Sequence, residues 1–434
     1  MLHRRTVCFA ALAGAIAAAA RTARAAPRAE DPFAEKRVLS DLALLDRQAH
    51  VRSGSAGDFA LATEAQARLA ALGFSLERQS IRVPVFEADA SFLETPGGVV
   101  DVFAQRRVVS TGPDGLRAPL RLWRDEADTE GIAGAIALVE LPHARHSQLI
   151  ASPIRTRLEA ALAGRPAAIV LITHGPTGET LILNAPFAAP FAETPIVVLG
   201  PAPGQPALAA ARRGETGRLT VHGRAGEADS FNIIAKRPGR GPLLVVSTPR
   251  TGWTPAVAER GPGFATFLAL AQWAVSALPD ASLLFLCTTA HEYDNEGGLR
   301  FINSDLAPKP ADVALWVHLG AGFAGRAHHE LGGWTLAPLP SVDEQRFLVG
   351  SEELVATLRA AFAGQPGLGV AYPAQVGAAG ELGEILAHGY APAFGLFGAH
   401  LRHHAMSDRI GMTDPRWVRQ AALAVRDVIA ARMV

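Results

Sequence analysis

Short apolar runs recur along the carboxyl-terminal half of the chain, and each is only five to eight residues long. They contain almost no polar positions, which is typical of strands that are buried on both faces of a sheet. Strands of this kind alternating with helices predict a mostly parallel sheet covered on both sides. The predicted strands are 230–235, 243–247, 282–289, 312–318 and 393–397.

Helical spacing of apolar residues occupies 264–278 and 351–363, between the apolar runs. A last helix is predicted to begin at Asp414, an N-cap type that is followed by a proline at the first helical position. Residues 31–85 predict two helices and then a strand, with Asp58 as the N-cap of the second helix. The fold class predicted is therefore α/β, with a central, mostly parallel sheet and helices on both faces.

The stretch 91–225 has a different texture, since proline and glycine are frequent and the apolar runs at 134–141, 167–172 and 194–200 are short. It predicts a β-rich domain inserted into an α/β domain that is built from 30–90 and 226–434. The histidines of the insertion are scattered in predicted loops and form no motif. We therefore expect no ligand cluster there.

The first 25 residues have the pattern of a signal peptide: a basic start, an apolar stretch at 7–20 and Ala-Arg-Ala before the predicted cleavage point. The pair Arg4-Arg5 indicates twin-arginine export, and an ordinary secretory signal with a chance arginine pair is the alternative. The apolar stretch is too short to span ~30 Å of bilayer. The mature protein is expected to be periplasmic or secreted, without a membrane span.

Charge excludes one class of partner, because 41 Lys and Arg balance 41 Asp and Glu and no global field favours nucleic acid. Removing the predicted signal also removes Cys8, so that Cys287 stays as a lone cysteine and no intrachain disulfide can form. Cys287 lies in an apolar run, which favours a buried thiol over a nucleophile.

Polar residues cluster where the predicted strands end, and the carboxyl ends of parallel strands meet at one edge of a sheet. Imidazole and carboxylate groups together at such an edge favour zinc. Spacing leaves open that these are unrelated exposed loop residues. The residues concerned are Arg250, Thr251, Glu259, His291, Glu292, His318, His400, His403, His404 and Asp408.

Five motifs in order resemble those of the zinc exopeptidases of metallopeptidase family twenty-eight, with bacterial leucyl aminopeptidases and, more distantly, glutaminyl cyclases. The segment "HVRSGSAGDFALATEAQARLAALGF" resembles the family's amino-terminal part, and "FNIIAKRPG" its Asn-Val-Ile-Ala strand. "ATFLALAQWAV", "LFLCTTAHEYDNEGGLRFI" and "HHAMSDR" resemble its first long helix, its strand ending in paired acids and its closing His-x-x-x-Asp. The predicted insertion is similar to a protease-associated domain.

The resemblance implies a site for two metal ions, but this chain departs from it. The first ligand position carries Pro249, which cannot bind a metal, and the residue that would orient that ligand is Thr251. The bridging carboxylate falls on Glu259. The next ligand position, an aspartate in the family, falls on His318.

The remaining positions keep a plausible single-metal set. The paired acids fall on His291 and Glu292, so that the general base becomes a histidine while Glu292 stays a metal ligand. The closing histidine is His404, with Asp408 placed to orient it from behind. The implied site has Glu259, Glu292 and His404 around one zinc ion, with His318 near.

Two functions follow from this interpretation. The first is a metal-dependent hydrolase of peptide or small amide bonds, in which His291 accepts the proton and Arg250 and Arg260 receive a substrate carboxylate. The second is a catalytically inactive exopeptidase homologue that acts as a binding protein, since three catalytic positions have changed together.

Overall fold

A computed structural model describes residues 31–433. The predicted signal peptide, residues 1–25, lies outside the described residues. No helix in the described part of the chain has both the length and the apolar composition that a membrane crossing needs. The described helices are α1 (Glu35–Asp46), α2 (Ala56–Ala71), α3 (Ser152–Ala163), α4 (Gln205–Arg212), α5 (Val257–Ala277), α6 (Glu296–Ile302), α7 (Val355–Ala361), α8 (Glu381–Ala387) and α9 (Pro415–Met433).

The strands are numbered in chain order, and each apolar run predicted from the sequence overlaps one of them. They are β1 (Ser75–Thr95), β2 (Gly98–Asp101), β3 (Phe103–Ala104), β4 (Leu116–Trp123), β5 (Ile136–Glu140), β6 (Ala168–Ile172), β7 (Ile196–Leu199), β8 (Thr216–Arg237), β9 (Leu243–Pro249), β10 (Ser282–Thr288), β11 (Val313–Leu319), β12 (Arg326–Glu330), β13 (Leu336–Val342), β14 (Arg346–Gly350), β15 (Ala371–Pro373) and β16 (Ala393–Gly398).

One twisted sheet organises the molecule, with the path β15-β14-β16-β11-β9-β10-β8-β4-β5-β6-β7-β3. Its centre is parallel: β16, β11, β9 and β10 run in the same direction, in adjacent positions. The predicted α/β class with a mostly parallel centre is thereby confirmed. Antiparallel pairings flank this centre, where β10 meets β8 and where β16 meets β14.

Both faces of the parallel centre are covered. The larger apolar core packs α1, α2, α5 and α9 against one face, with Phe264, Phe267 and Phe285 fully buried in it. The opposite face is covered by α6 and α8, whose Phe301 and Ile385 pack on Trp316. Burial on both sides explains why these strands are continuously apolar in sequence.

The segment 91–225 joins this sheet rather than breaking it, because the long strands β1 and β8 pair along most of their length. β4, β5, β6 and β7 are mutually parallel and continue the sheet beyond β8. The segment also contains α3, which the sequence "PIRTRLEAALAG" predicts, and α4. Its boundaries as a domain, 91 and 225, stay a prediction.

Two predicted helix starts are wrong. The helix predicted at 264–278 begins seven residues earlier, at Val257, so that Glu259 lies in the first turn instead of preceding the helix. Pro262 and its two flanking glycines obscure this start, but the helix is enclosed by the core and continues through them. The N-cap of α2 is Ser55 and not Asp58, whose carboxylate turns into the core.

Candidate metal centre

Among the described residues, one set of three potential ligands lies close enough to share an ion. It consists of Glu259, His403 and His404, whose ligand atoms all lie within 4.8 Å of one another. All three side chains are buried. The sequence prediction contained Glu259 and His404 as ligands, whereas His403 was only noted as one of several histidines following a strand.

Glu259 is held in place by the amino-terminal end of α5. The carboxylate of Asp408 accepts hydrogen bonds from the backbone N–H groups of Ala258 (2.8 Å) and Glu259 (3.0 Å). Its Oδ2 also lies 3.4 Å from Nε2 of His400. Asp408 therefore caps a helix and contacts His400. The prediction that Asp408 orients His404 is wrong, because His404 is oriented by the carbonyl oxygen of Ile182.

His404 is oriented by the segment 91–225. Its Nδ1 lies 2.5 Å from the carbonyl oxygen of Ile182, and its own carbonyl accepts from the Ile182 N–H. With the proton on Nδ1, the Nε2 lone pair is available, and Nε2 lies 3.4 Å from Oε1 of Glu259. The His403 ring stacks on that of His404, with centroids 4.2 Å apart.

The polar atoms of this trio are poorly satisfied. Neither carboxylate oxygen of Glu259 has a hydrogen-bond partner within residues 31–433, and neither does Nδ1 of His403. Burial would raise the pKa of the Glu259 carboxyl, but attraction to Arg260 and to the two histidines holds it well below its usual range. A buried carboxylate without hydrogen bonds, facing an imidazole lone pair, is the environment in which a bound cation is stabilising.

Arg260 places a positive charge beside Glu259. Its Nη2 lies 2.8 Å from Oε1 of Glu259, in an ion pair without hydrogen-bond geometry. Its Nε donates to the carbonyl oxygen of Thr251 at 2.7 Å. Nη1 is buried and has no partner in the described part of the chain. The guanidinium is therefore fixed on one side and free on the other.

Glu292 does not join the trio, contrary to the prediction. Its Oε1 accepts from the N–H and the hydroxyl of Ser53, at 2.7 and 2.8 Å, and its Oε2 accepts from the hydroxyl of Thr251 at 2.7 Å. Both oxygens are thus occupied. Burial raises the pKa of this carboxyl, although these hydrogen bonds oppose the shift. Glu292 ties the loop before α2 to the end of β9.

Arg250, which was predicted to receive a substrate carboxylate, cannot do so in this structure. It is fully buried, and its Nε donates to Oδ1 of Asp58 at 2.7 Å. Its two terminal nitrogens donate to the carbonyl oxygens of Cys287 and Phe231. All three nitrogens are engaged inside the core, so that Arg250 is a structural residue.

A second group of buried titratable side chains consists of His291, His318 and Glu381. Nδ1 of His291 lies 3.5 Å from Oε1 of Glu381, and Nδ1 of His318 lies 4.0 Å from its Oε2. Burial, with repulsion from Arg260, holds the pKa of His291 well below its usual range. Burial raises the pKa of Glu381.

His318 is held by the sheet rather than by the trio. The Ser247 hydroxyl accepts from the indole N–H of Trp316 at 2.9 Å and lies 3.0 Å from Nδ1 of His318. Because the indole can only donate, the hydroxyl proton is available to His318 Nδ1, which leaves its proton on Nε2. Burial lowers the pKa of His318 to about 4. His318 thus stands beside Glu381 as a neutral ring and is not a member of the ligand trio.

A cavity of about 510 Å³ connects these groups, and Arg260, His291, His318, His403 and His404 line it. Ser147, Gln148 and Asn184 line it too, so the segment 91–225 contributes to the site. Sequence reasoning assigned no site residues to that segment and missed Glu381. No motif marks either, since Glu381 begins a seven-residue helix and Ile182 acts through its backbone.

Left-handed backbone conformations concentrate at this site. φ is +53° at Ala256 before α5, +54° at Ala290 before His291, and +62° at His404 itself. Each costs a residue with a Cβ about 1–2 kcal/mol. Strain that the surrounding packing maintains is common where side chains must be aimed at a ligand.

Solved structures resemble this fold over nearly the whole chain. BSAP, a zinc aminopeptidase from Bacillus subtilis, aligns with a TM-score of 0.71 at 15% identity, covering 92% of this chain and 95% of that one. A peptidase M28 precursor from Shewanella amazonensis SB2B aligns with a TM-score of 0.68 at 15% identity, covering 91% and 92%. An aminopeptidase from Aneurinibacillus sp. strain AM-1 aligns with a TM-score of 0.62 at 15% identity, covering 92% and 94%.

No protein-family model matches the sequence. A comparison with curated proteins finds no match either. The chain therefore has the fold of the zinc aminopeptidases and M28 peptidases, with a sequence that has diverged far from these structures.

Proposed function

We propose that the protein is an exported hydrolase of peptide or small amide bonds that uses one metal ion, zinc, held by Glu259, His403 and His404. The observation that carries the proposal is the contact between Nε2 of His404 and Oε1 of Glu259, 3.4 Å apart. With the His404 proton on Nδ1, these two acceptors face each other across a gap that a cation would fill. The neighbouring His403 then supplies a third ligand, and three protein ligands with an open position are typical of catalytic zinc.

When bound, zinc would polarise a substrate carbonyl and lower the pKa of its water to ~7. The residues of the chain would do the rest. His291 is proposed to accept the proton on Nε2, since its Nδ1 faces Glu381. Glu381 would hold the ring in that orientation and stabilise the imidazolium. The His318 Nε2–H would be a donor toward the substrate.

Substrate selection is proposed to depend on Arg260. Arg260 lines the cavity and its Nη1 has no partner within residues 31–433, and a guanidinium N–H favours a carboxylate partner. The neutral His291 and His318 rings do not compete for that anion. We therefore propose substrates with an anionic end near the scissile bond.

A catalytically inactive binding protein is the second candidate, and one observation favours it. Arg260 already places a positive charge 2.8 Å from Glu259, which partly neutralises the carboxylate without a metal. In that case the cavity would bind an anionic peptide or amide on Arg260 without cleaving it.

Metal analysis of the purified protein separates the two functions. The hydrolase requires about one zinc per chain by plasma mass spectrometry, with amide hydrolysis that a chelator abolishes and zinc restores. His404→Ala should lose both, whereas His329→Ala, which replaces an exposed histidine on β12, should lose neither. Metal-free protein that takes up no added zinc and cleaves no amide would contradict the hydrolase and support the binding protein.

Export remains part of the proposal and rests on the sequence of residues 1–25. Amino-terminal sequencing of protein from the producing cells should give a start near Ala26 in the periplasmic or secreted fraction. A full-length chain found mainly in the cytoplasm would contradict it.

A further inference from the structure

A second cavity, of about 560 Å³, shares no lining residue with the cavity of the metal centre. It lies between the loop before α2, the middle of β1, and β3. Its volume is within the range of small-molecule sites, ~300–1,000 Å³. We call it the Arg52–Arg106 cavity, after the two arginines in its wall.

Neither arginine is neutralised by a carboxylate. Arg106 is 7% exposed and donates only to the carbonyl oxygens of Ala104 (2.7 Å) and Phe86 (3.3 Å). The Arg52 side chain forms no hydrogen bond or ion pair with any residue of 31–433, and its Nε is buried without a partner. Buried arginines in proteins are normally paired, because an isolated charge loses its hydration without compensation.

The basic groups of this cavity also repel one another. Burial lowers the pKa of Arg106 to about 10, and the neighbouring charge of Arg52 adds to the decrease. Burial lowers the pKa of His50 to about 4, and both arginines contribute to that shift. Two arginines that repel each other in one cavity favour an anionic ligand.

The acids on the cavity wall do not cancel this charge. Glu292 attracts the Arg52 charge and opposes the decrease that burial causes in the Arg52 pKa, but both Glu292 oxygens are held by Ser53 and Thr251 and form no ion pair with Arg52 within residues 31–433. Glu87 is paired with the exposed Arg224 at 2.8 Å. The two arginines therefore keep an excess of positive charge.

Four residues of the wall are aromatic: Phe86, Phe103, Trp253 and Tyr293. Phe103 and Trp253 lie with their rings 4.9 and 5.9 Å from the Arg106 guanidinium carbon, and Tyr293 packs edge-on against Trp253. Such walls favour a ligand with a planar apolar part over a strongly hydrated inorganic anion. Since a guanidinium fork matches a carboxylate, the two features together define a small aromatic acid.

We propose that the Arg52–Arg106 cavity is a second binding site, specific for a small organic carboxylate that carries an aromatic or similar apolar group. This site is independent of the proposed hydrolysis, because it involves neither the ligand trio nor Arg260. A binding measurement at this cavity therefore tests this proposal separately from the proposed hydrolysis.

Titration calorimetry with phenylacetate, and with its neutral analogue phenylacetamide, tests the proposal. Phenylacetate should bind saturably, and phenylacetamide should bind at least about tenfold more weakly, because a charge-assisted hydrogen bond is lost. Equal binding of the two compounds, no binding of phenylacetate, or equally tight binding of inorganic phosphate would overturn it.

Variants locate the site. Arg52→Gln should weaken phenylacetate binding at least about tenfold. The variant should still fold, because the Arg52 side chain is partly exposed and forms no hydrogen bond with residues 31–433. Arg155→Gln, which replaces an exposed arginine on α3, should bind phenylacetate as tightly as wild type. Loss of binding in Arg260→Gln, with Arg52→Gln unchanged, would place the ligand in the other cavity and refute the proposal.

A fluorescence titration gives a second readout that needs no arginine variant. Trp253 lines the cavity, so phenylacetate should change the tryptophan emission of wild type and have much less effect in Trp253→Phe. An emission change that is identical in Trp253→Phe would contradict binding at this site.

Discussion

Two buried arginines ten positions apart, Arg250 and Arg260, each pair with a carboxylate, and the two pairs differ in how completely their hydrogen bonds are satisfied. In the Arg250–Asp58 pair every arginine nitrogen donates, and Asp58 also accepts from the Gly54 N–H (2.9 Å) and the Ser230 hydroxyl (2.6 Å). In the Arg260–Glu259 pair, Nη1 of the arginine and both carboxylate oxygens lack hydrogen bonds.

The two pairs cannot be told apart by burial, since all four side chains are at most 1% exposed. The difference lies in what surrounds them. The first pair is enclosed by the core and the ends of β8 and β10, whereas the second stands on a cavity beside two histidines. Buried charge thus identifies a structural residue when it is satisfied and a candidate site when it is not.

The largest effect is expected from breaking the satisfied pair. Arg250→Met leaves the Asp58 carboxylate buried without its cation and should lower the free energy of unfolding by about 3–5 kcal/mol. Urea unfolding at pH 7 measures this loss. The matched control Arg155→Met, which removes an exposed helical ion pair, should change little. A loss for Arg250→Met as small as that of the control would contradict the comparison.

The next effect concerns the ligand trio. Zinc at about one hundred times its dissociation constant should stabilise wild type by about 2.7 kcal/mol, because only the folded state holds the ligands together. His404→Ala should lose this zinc-dependent stabilisation, as followed by the thermal unfolding midpoint. Zinc should still stabilise His329→Ala as it does wild type, and an equal response of His404→Ala would remove His404 from the site.

A smaller effect is expected from replacing Arg260, whose Nη1 has no hydrogen-bond partner among the described residues. Arg260→Gln should raise KM about tenfold, or about 1.4 kcal/mol, for a peptide with a terminal carboxylate, and leave KM for its amidated counterpart nearly unchanged. The ratio of kcat/KM values for the two peptides measures it. An equal decrease in kcat/KM for both peptides would mean that Arg260 supports the whole site and does not recognise the substrate carboxylate.

A last effect is a change in the pH dependence of stability at His50, another basic group without a carboxylate partner among the described residues. Its pKa is lowered to about 4 in the fold, so the unfolded chain binds more protons between about pH 6.5 and 4. The contribution of His50 to stability is therefore complete above pH 6.5 and is lost as the pH falls toward 4.

His50→Asn should accordingly lose less stability than wild type between pH 7 and pH 5. Urea unfolding at the two pH values gives the comparison. The control is His329→Ala, whose histidine is exposed, and its change should match that of wild type. A steeper loss in His50→Asn would mean that His50 is charged in the folded state.

The sequence was sufficient for the fold because the apolar runs report burial directly. β9, β10 and β11 fall on the predicted runs 243–247, 282–289 and 312–318, and they lie side by side in one sheet. Helix starts were less predictable. α5 begins ahead of Pro262 because burial around the helix and the cap supplied by Asp408 outweigh a local signal for a break.

By itself the sequence determined the α/β class, the sheet edge at which polar residues meet, and the kinds of side chain available there, including Glu259 and His404. Only the tertiary structure decided how each is used. The Glu292 carboxylate accepts a hydrogen bond from Ser53, 239 positions away, and the Arg250 guanidinium donates one to Asp58, 192 positions away. His404 is oriented by Ile182, from a segment with no recognisable motif. Hydrogen bonds between residues so far apart in the chain leave no local pattern, so whether a buried charge is satisfied or free is settled by packing.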